Sequence, residues 1–356
     1  MLAYIIRRLL LIIPTLFGIL LINFLIIQAA PGGPVEQMIA NLEGFEGATS
    51  RISGSMQGEV ASGGNYRGAQ GLDPEIIAEI ERMYGFDKPA HERFWLMIKG
   101  YLTFDFGDSF FRDASVIDLI IEKMPVSISL GLWTTLLTYL ISIPLGIRKA
   151  IRHGSAFDVW TSSLIIVGYA IPGFLLAILL IVLFAGGSYF DWFPLRGLTS
   201  NNWEELTTGG KILDYLWHLV LPITAMVIGS FATLTMLTKN CFLDEIGKQY
   251  VVTARAKGLS ENRVVFKHIL GNAMIPIVTV IGLQFGGILG GSAVTEKVFN
   301  VNGLGKYIVD KQFIPDIPVV LAGVVYVAIV ISIVNLLVDI LYAFLDPRIK
   351  SSLKNY

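Results

Sequence analysis

The stretch Gln249-Tyr-Val-Val-Thr-Ala-Arg-Ala-Lys-Gly-Leu-Ser260, running on through His268 to Asn272-Ala-Met-Ile-Pro276, lies between two long apolar runs. With Lys248 in front of it, it carries five basic residues (Lys248, Arg255, Lys257, Arg263, Lys267) against one acid, Glu261. A segment this charged cannot sit in hydrocarbon, and its cationic excess marks it as a cytoplasmic loop. Two short helical patterns meet at Gly258-Leu259-Ser260, which predicts a folded docking element rather than a slack connector.

The rest of the chain is membrane-like. Of its 356 residues 54% are apolar and only 15% charged, with a mean hydropathy of +0.65; a soluble protein would carry roughly 25% charged residues. A span needs about 20 apolar residues. Six stretches qualify, near 9–29, 126–147, 159–185, 216–238, 277–293 and 319–345. The fifth holds Gly282, Gly286, Gly287, Gly290 and Gly291, which reads as an inner helix packed closely against its neighbours. The first resembles a signal peptide, but its apolar run is too long and Ala29-Ala30-Pro31 is a poor cleavage site, so a retained anchor is expected.

Charge sets the orientation. With the N-terminus inside, the inner segments hold 14 Lys/Arg against 5 acids, and the short outer loops only 5 Lys/Arg. Both termini and the 239–276 loop are therefore expected in the cytoplasm. The division that follows is an anchor span (1–30), an outer segment (31–125), a five-helix core (126–345) and a cytoplasmic tail (346–356).

Within the outer segment, 41–71 is rich in Gly and Ser and is expected to be flexible. From Leu72 a periodic pattern begins. Asp73-Pro74-Glu75 reads as a helix start, and Ile76, Ile77, Ile80, Met83 and Tyr84 form one stripe that ends at Gly85. A second helix is predicted over 89–102, a turn over 104–109 and a third short helix over 116–123. Together they would form a small helical cap on the outer face.

Catalytic patterns are missing. The chain has no G-x-x-x-x-G-K-[ST] phosphate loop, no H-E-x-x-H and no G-x-S-x-G. A single Cys241 excludes an intrachain disulfide, and the four His residues lack ligand spacing. No cofactor, metal or nucleic acid is implied. Asp339 is the one acid deep in a span, and a structural pairing is the favoured expectation for it. A carrier driven by an ion gradient would concentrate such groups at mid-membrane. A self-sufficient secondary carrier or channel is thus the alternative to a subunit driven from outside the chain, and a scaffold without transport a more distant one.

The core Ala254-x-x-x-Gly258 within Thr253-Ala-Arg-Ala-Lys-Gly258, with Asn272-Ala-x-x-Pro276 following, resembles the "EAA" loop of ABC-importer permeases of the dipeptide/oligopeptide family. Similar marks run along nearly the whole chain. They include Arg7-Arg8 with Ile13-Pro14-Thr15 and Ala30-Pro31-Gly32, then Asp105-Phe-Gly-Asp-Ser109, Glu296-x-Val-Phe299 with Asn302-Gly-Leu-Gly305, Asp316-x-Pro318, and Asp339 with Leu345-Asp-Pro-Arg348. The insertion, Gly63-Gly64-Asn65-Tyr66-Arg67-Gly68 and Gly186-Gly-Ser-Tyr-Phe190 are most similar to the Yej-type B permeases (peptide or microcin C). Two positions depart from the pattern: Gly271 and Pro315 stand where Arg is common.

The resemblance implies an all-α polytopic protein, with six spans of type I importer architecture and the helical cap. It also implies a place in the bacterial inner membrane and import of short peptides or peptide-like compounds. Partners would be a second permease forming a heterodimer, two ABC ATPase subunits and a periplasmic solute-binding protein, all within membrane lipid. Gln249, Ala254, Arg255, Lys257 and Gly258 would couple the chain to the ATPases, with Ala254 expected on the docking face.

Overall fold

The computed structural model describes residues 2–29, 75, 78, 82, 87–109, 112, 114–187, 189–289, 293–313 and 316–345. Among them the protein is helical, with one isolated bridge, Asp108 to Ser115. The helices are α1 (Leu2–Ala29), α2 (Ala90–Leu102), α3 (Val116–Ile151), α4 (Ala156–Ala170), α5 (Gly173–Phe184), α6 (Thr208–Ile246), α7 (Gln249–Ala256), α8 (Glu261–Val264), α9 (Leu270–Leu289), α10 (Ala293–Val298), α11 (Leu304–Phe313) and α12 (Ile317–Leu345). Five helices are long and apolar enough to cross a membrane, and a sixth span is present if the bent pair α4–α5 counts as one.

Three predicted boundaries differ. The short helix expected over 116–123 is the first turns of the 36-residue α3, which continues through Pro125 into the second span. Proline's ring removes a single interior hydrogen bond, and a long helix packed on its neighbours tolerates that. At 1.5 Å per residue α3 is about 54 Å long, more than the ~30 Å hydrocarbon core, so its ends stand outside the apolar window by which spans are recognised. The third span is broken instead of straight: α4 and α5 meet at 91°. Ile171 there is extended (φ −85°, ψ 117°), as a residue before proline is, and Pro172 caps α5. The fifth begins early, because α8 passes through a π-helical turn at Val265–Ile269 directly into α9.

Two compact units are distinguished. The larger comprises 1–12, 121–310 and 327–356, the smaller 13–120 and 311–326. In the larger unit α6 packs against α4, α5 and α9. The α3–α6 approach is close: a Cβ on Gly146 would come within 2.5 Å of Thr238 Cβ, so only glycine fits. Its apolar clusters centre on Phe242 and Ile269, and on Leu130, Leu219 and Phe299. An aromatic group, Phe184, Phe190, Trp192, Phe193 and Trp217, gathers where α5 ends and α6 begins, and Trp217 Nε1 donates to the Trp192 carbonyl at 3.0 Å. Such belts mark a membrane–water boundary.

In the smaller unit α2 forms as predicted, with Phe94 between Phe17 and Phe24 of α1 and Arg93 donating to Gln28 at 2.8 Å. The predicted turn contains Phe104 and Gly107 at positive φ. The helix expected over 72–85 is helical at 75, 78 and 82 and otherwise falls outside the described residues, as do the insertion 41–71 and the tail 346–356. The side chains of the glycine-rich stretch 282–291 also fall outside them.

Candidate functional site

α7 follows the end of α6 after a two-residue link, Gly247-Lys248, and the extended backbone of Lys248 caps the new helix. The inward face of α7 is set by Val251 and Ala254, three residues apart and both buried. They join Phe242 of α6, Val264, Val265 and Ile269 of the following segment, and Ala273 and Ile277 of α9 in one apolar cluster. Gln249, Arg255, Lys257 and Gly258 are exposed. The expectation that Ala254 stands on the docking face is thereby corrected. Its small side chain is what allows α7 to lie flat on the cluster.

The helix ends in a Schellman motif. The Leu259 N–H donates to the Ala254 carbonyl at 3.4 Å and the Gly258 N–H to the Arg255 carbonyl at 2.9 Å, while Leu259 packs on the apolar cluster. Gly258 holds φ +78°, and a Cβ there would meet nothing within 4 Å. The need for glycine is therefore one of backbone conformation and not of space.

Polar contacts fix the orientation of α7. Across the turn Arg255 donates to both Glu261 oxygens, at 2.8 and 3.1 Å. At the other end Glu245 binds Lys248 Nζ at 2.6 Å and the Tyr250 hydroxyl, to which Asn272 donates at 3.2 Å. Burial together with the Glu245 hydrogen bond raises the Tyr250 pKa, which keeps that hydroxyl a donor. The result is a rigid, outward-facing cationic helix.

Beside this loop is a buried ionic knot that motif reading did not single out. Lys149 of α3, fully buried, reaches Asp158 Oδ1 at 3.1 Å, the Thr161 and Ser162 hydroxyls at 2.7 Å and the Asp158 carbonyl at 3.0 Å. Lys239 of α6 donates to Asp158 Oδ2 at 2.8 Å, and the Gly154 N–H donates to the same atom at 3.1 Å. The knot ties α3, α4 and α6 together where the apolar runs end. The signal was present in Ser155-x-x-Asp158, a capping pattern at the start of α4, and in a lysine immediately after an apolar run.

Two of the sequence marks turn out to be hydrogen-bonded clips. Glu296, fully buried, accepts from the Ser127 hydroxyl at 2.8 Å and from the Lys306 N–H at 2.7 Å; Ser127 accepts in turn from the Leu304 N–H at 2.8 Å. The carboxyl thus caps the N-terminus of α11, and Gly303 is required beside it because a Cβ would lie 2.4 Å from the carboxyl group. Burial raises the Glu296 pKa, with those donors opposing the rise. In the smaller unit Ser109 donates to the buried Asp316 at 2.5 Å, joining the Asp-Phe-Gly-Asp-Ser and Asp-x-Pro marks. Asp339 is paired: Arg8 Nε and Nη2 hold its two oxygens at 2.9 and 3.1 Å.

Residues 142–351 match the family described as binding-protein-dependent transport system inner membrane component. The chain is 54% identical over 355 residues to the peptidoglycan transport system permease protein YejB of Agrobacterium fabrum (strain C58), covering 98% of each. It is 55% identical over 363 residues to the inner membrane ABC transporter permease protein YejB of Escherichia coli O157:H7, again covering 98% of each. With the oligopeptide transport system permease protein AppB of Bacillus subtilis (strain 168) it shares 36% over 355 residues, 98% of this chain and 100% of that one.

Proposed function

The chain belongs to the family of inner-membrane components of binding-protein-dependent transport systems, and from that premise we propose how it works and with what. It is a multi-pass permease subunit of an ABC importer for peptides, a transport component and not an enzyme. Our reading is that its cargo is short peptides or peptide-like compounds. It lines half of the path beside a second permease, receives cargo from an extracytoplasmic solute-binding protein and is driven by two ATPase subunits. Both termini and α7 face the cytoplasm.

The observation that carries the coupling role is the two-sidedness of α7. Val251 and Ala254 root it in the core, while Arg255 and Lys257 face outward with Gln249. A docked ATPase would therefore move the helix as a body. α7 leaves α6 after only two residues, and α8 runs without a break into α9, so neither side has slack to absorb the displacement. Closure of the ATPases would become a tilt of two spans, a shear of packed helices that exchanges outward for inward access.

A self-sufficient carrier would need free ionisable groups at mid-membrane. The Arg8–Asp339 pair speaks against it. The test is cysteine cross-linking in the assembled importer: Lys257→Cys should join to an ATPase subunit, and Val251→Cys should not. Equal cross-linking of both, or of neither, would remove α7 from the coupling role.

A further inference from the structure

Between the end of α3 and the segment joining α8 to α9 lies a cleft of about 920 Å³. Its walls are apolar, with Ile147, Met274 and the 63% exposed ring of Phe266 among them. Its rim carries Arg148, Arg152 and Lys267, and no lining residue is acidic. Arg148 lies over the Phe157 ring at 5.1 Å, and among the described residues none of the three cations has a carboxylate partner. The cleft is open beside Gly271, where a Cβ would meet nothing within 4 Å.

We infer that this cleft binds an anionic phospholipid, the phosphate at the rim and an acyl chain along the apolar wall. The layout follows the membrane normal along one face of α3. Ile147 and Ile151 alternate with Arg148 and Arg152 at four-residue spacing, so apolar and cationic groups share the cleft side as the helix leaves the hydrocarbon. A soluble acidic partner would match the three cations but not the apolar wall, and an uncharged lipid would match the wall but not the cations. The inference rests on the membrane placement of α3 proposed above.

The assembled importer, purified in detergent, is titrated with dioleoyl-phosphatidylglycerol or dioleoyl-phosphatidylcholine and retained lipid is read by native mass spectrometry. Phosphatidylglycerol should be retained at least about tenfold more strongly. The preference should vanish in the triple variant Arg148→Gln/Arg152→Gln/Lys267→Gln, and also in Gly271→Trp, which fills the cleft and leaves the charges. Should the triple variant fail to assemble, Gly271→Trp decides alone, together with benzoylphenylalanine in place of Gly271, whose photoproduct should be lipid. A photoproduct with the ATPase or the second permease would assign the cleft to that subunit and overturn the inference, as would equal retention of the two lipids. Carbonate extraction of the same membranes separates the two failures. An integral chain without lipid preference refutes the cleft alone, and a released chain refutes the placement as well.

Discussion

Lys239 on α6 donates a hydrogen bond to Asp158 on α4 at 2.8 Å, across 81 positions of sequence and in a buried setting. Lys149 shares the same carboxyl group from α3, so one acid holds two amines where three helices converge. Asp158→Ala would strand both. Breaking a buried pair from one side costs about 3–5 kcal/mol. The expected outcome is a large loss of membrane abundance and of melting temperature, with partial recovery in Asp158→Glu. Wild-type abundance for Asp158→Ala would show that the lysines find other partners.

The Glu296 clip should be sensitive to pH in a defined direction. Its carboxyl pKa lies above the ordinary glutamate value of 4.5, with burial the leading cause. A folded-state value raised in this way contributes stability that is complete below the unfolded value and lost as pH rises through the folded one. Glu296→Gln has no proton to lose. Melting temperature measured against pH should therefore show the wild-type advantage over Glu296→Gln shrinking as pH climbs from 4.5 upward. An advantage that grows with pH would mean that the Ser127 and Lys306 donors outweigh burial.

At the coupling loop the two small residues should fail differently. Gly258→Val forces a β-branched residue to φ +78° at a strain of about 1–2 kcal/mol, enough to misdirect α8 without unfolding the spans. Normal abundance with lost uptake is expected. Ala254→Glu instead drives a carboxylate into the apolar cluster of Phe242 and Ile269, so abundance itself should fall. Glu261→Gln should be mild, because the Arg255–Glu261 pair is exposed and such pairs contribute at most about 1 kcal/mol. Immunoblots of membranes beside uptake assays distinguish the three.

Topology follows from charge. In a Cys241→Ser background, Ser62→Cys should react with an impermeant maleimide in intact cells, and Ser260→Cys only after permeabilisation. Labelling of Ser260→Cys in intact cells would invert the arrangement.

Most of the fold was legible in the sequence because apolar runs and basic loops are local signals. The Gly258 break, α2 from Ala90 and the spans at α1, α6 and α12 all stand where composition placed them. The similarity to two YejB proteins over nearly the whole chain agrees with the family resemblance. What was not legible depends on tertiary contacts. Window hydropathy cannot tell a straight span from α4 and α5 bent at 91° around Pro172, nor see that α3 begins at Val116. Ala254 was assigned to the wrong face because a motif gives spacing, while the buried side is chosen by what α7 packs on. The Lys239–Asp158 arm of the knot and the Ser127–Glu296 clip join residues 81 and 169 positions apart, beyond any local pattern.

The central claim is that this chain transports peptide only when an ATPase acts on it through α7. The direct measurement is uptake of a labelled short peptide into proteoliposomes that contain this chain, its partner permease, both ATPase subunits and the solute-binding protein. ATP-dependent accumulation is expected from the complete set. None is expected from this chain alone under any ion gradient, and none from the complete set carrying Gly258→Val. Gradient-driven uptake by the isolated chain, or full ATP-dependent uptake with Gly258→Val at normal abundance, would contradict the account.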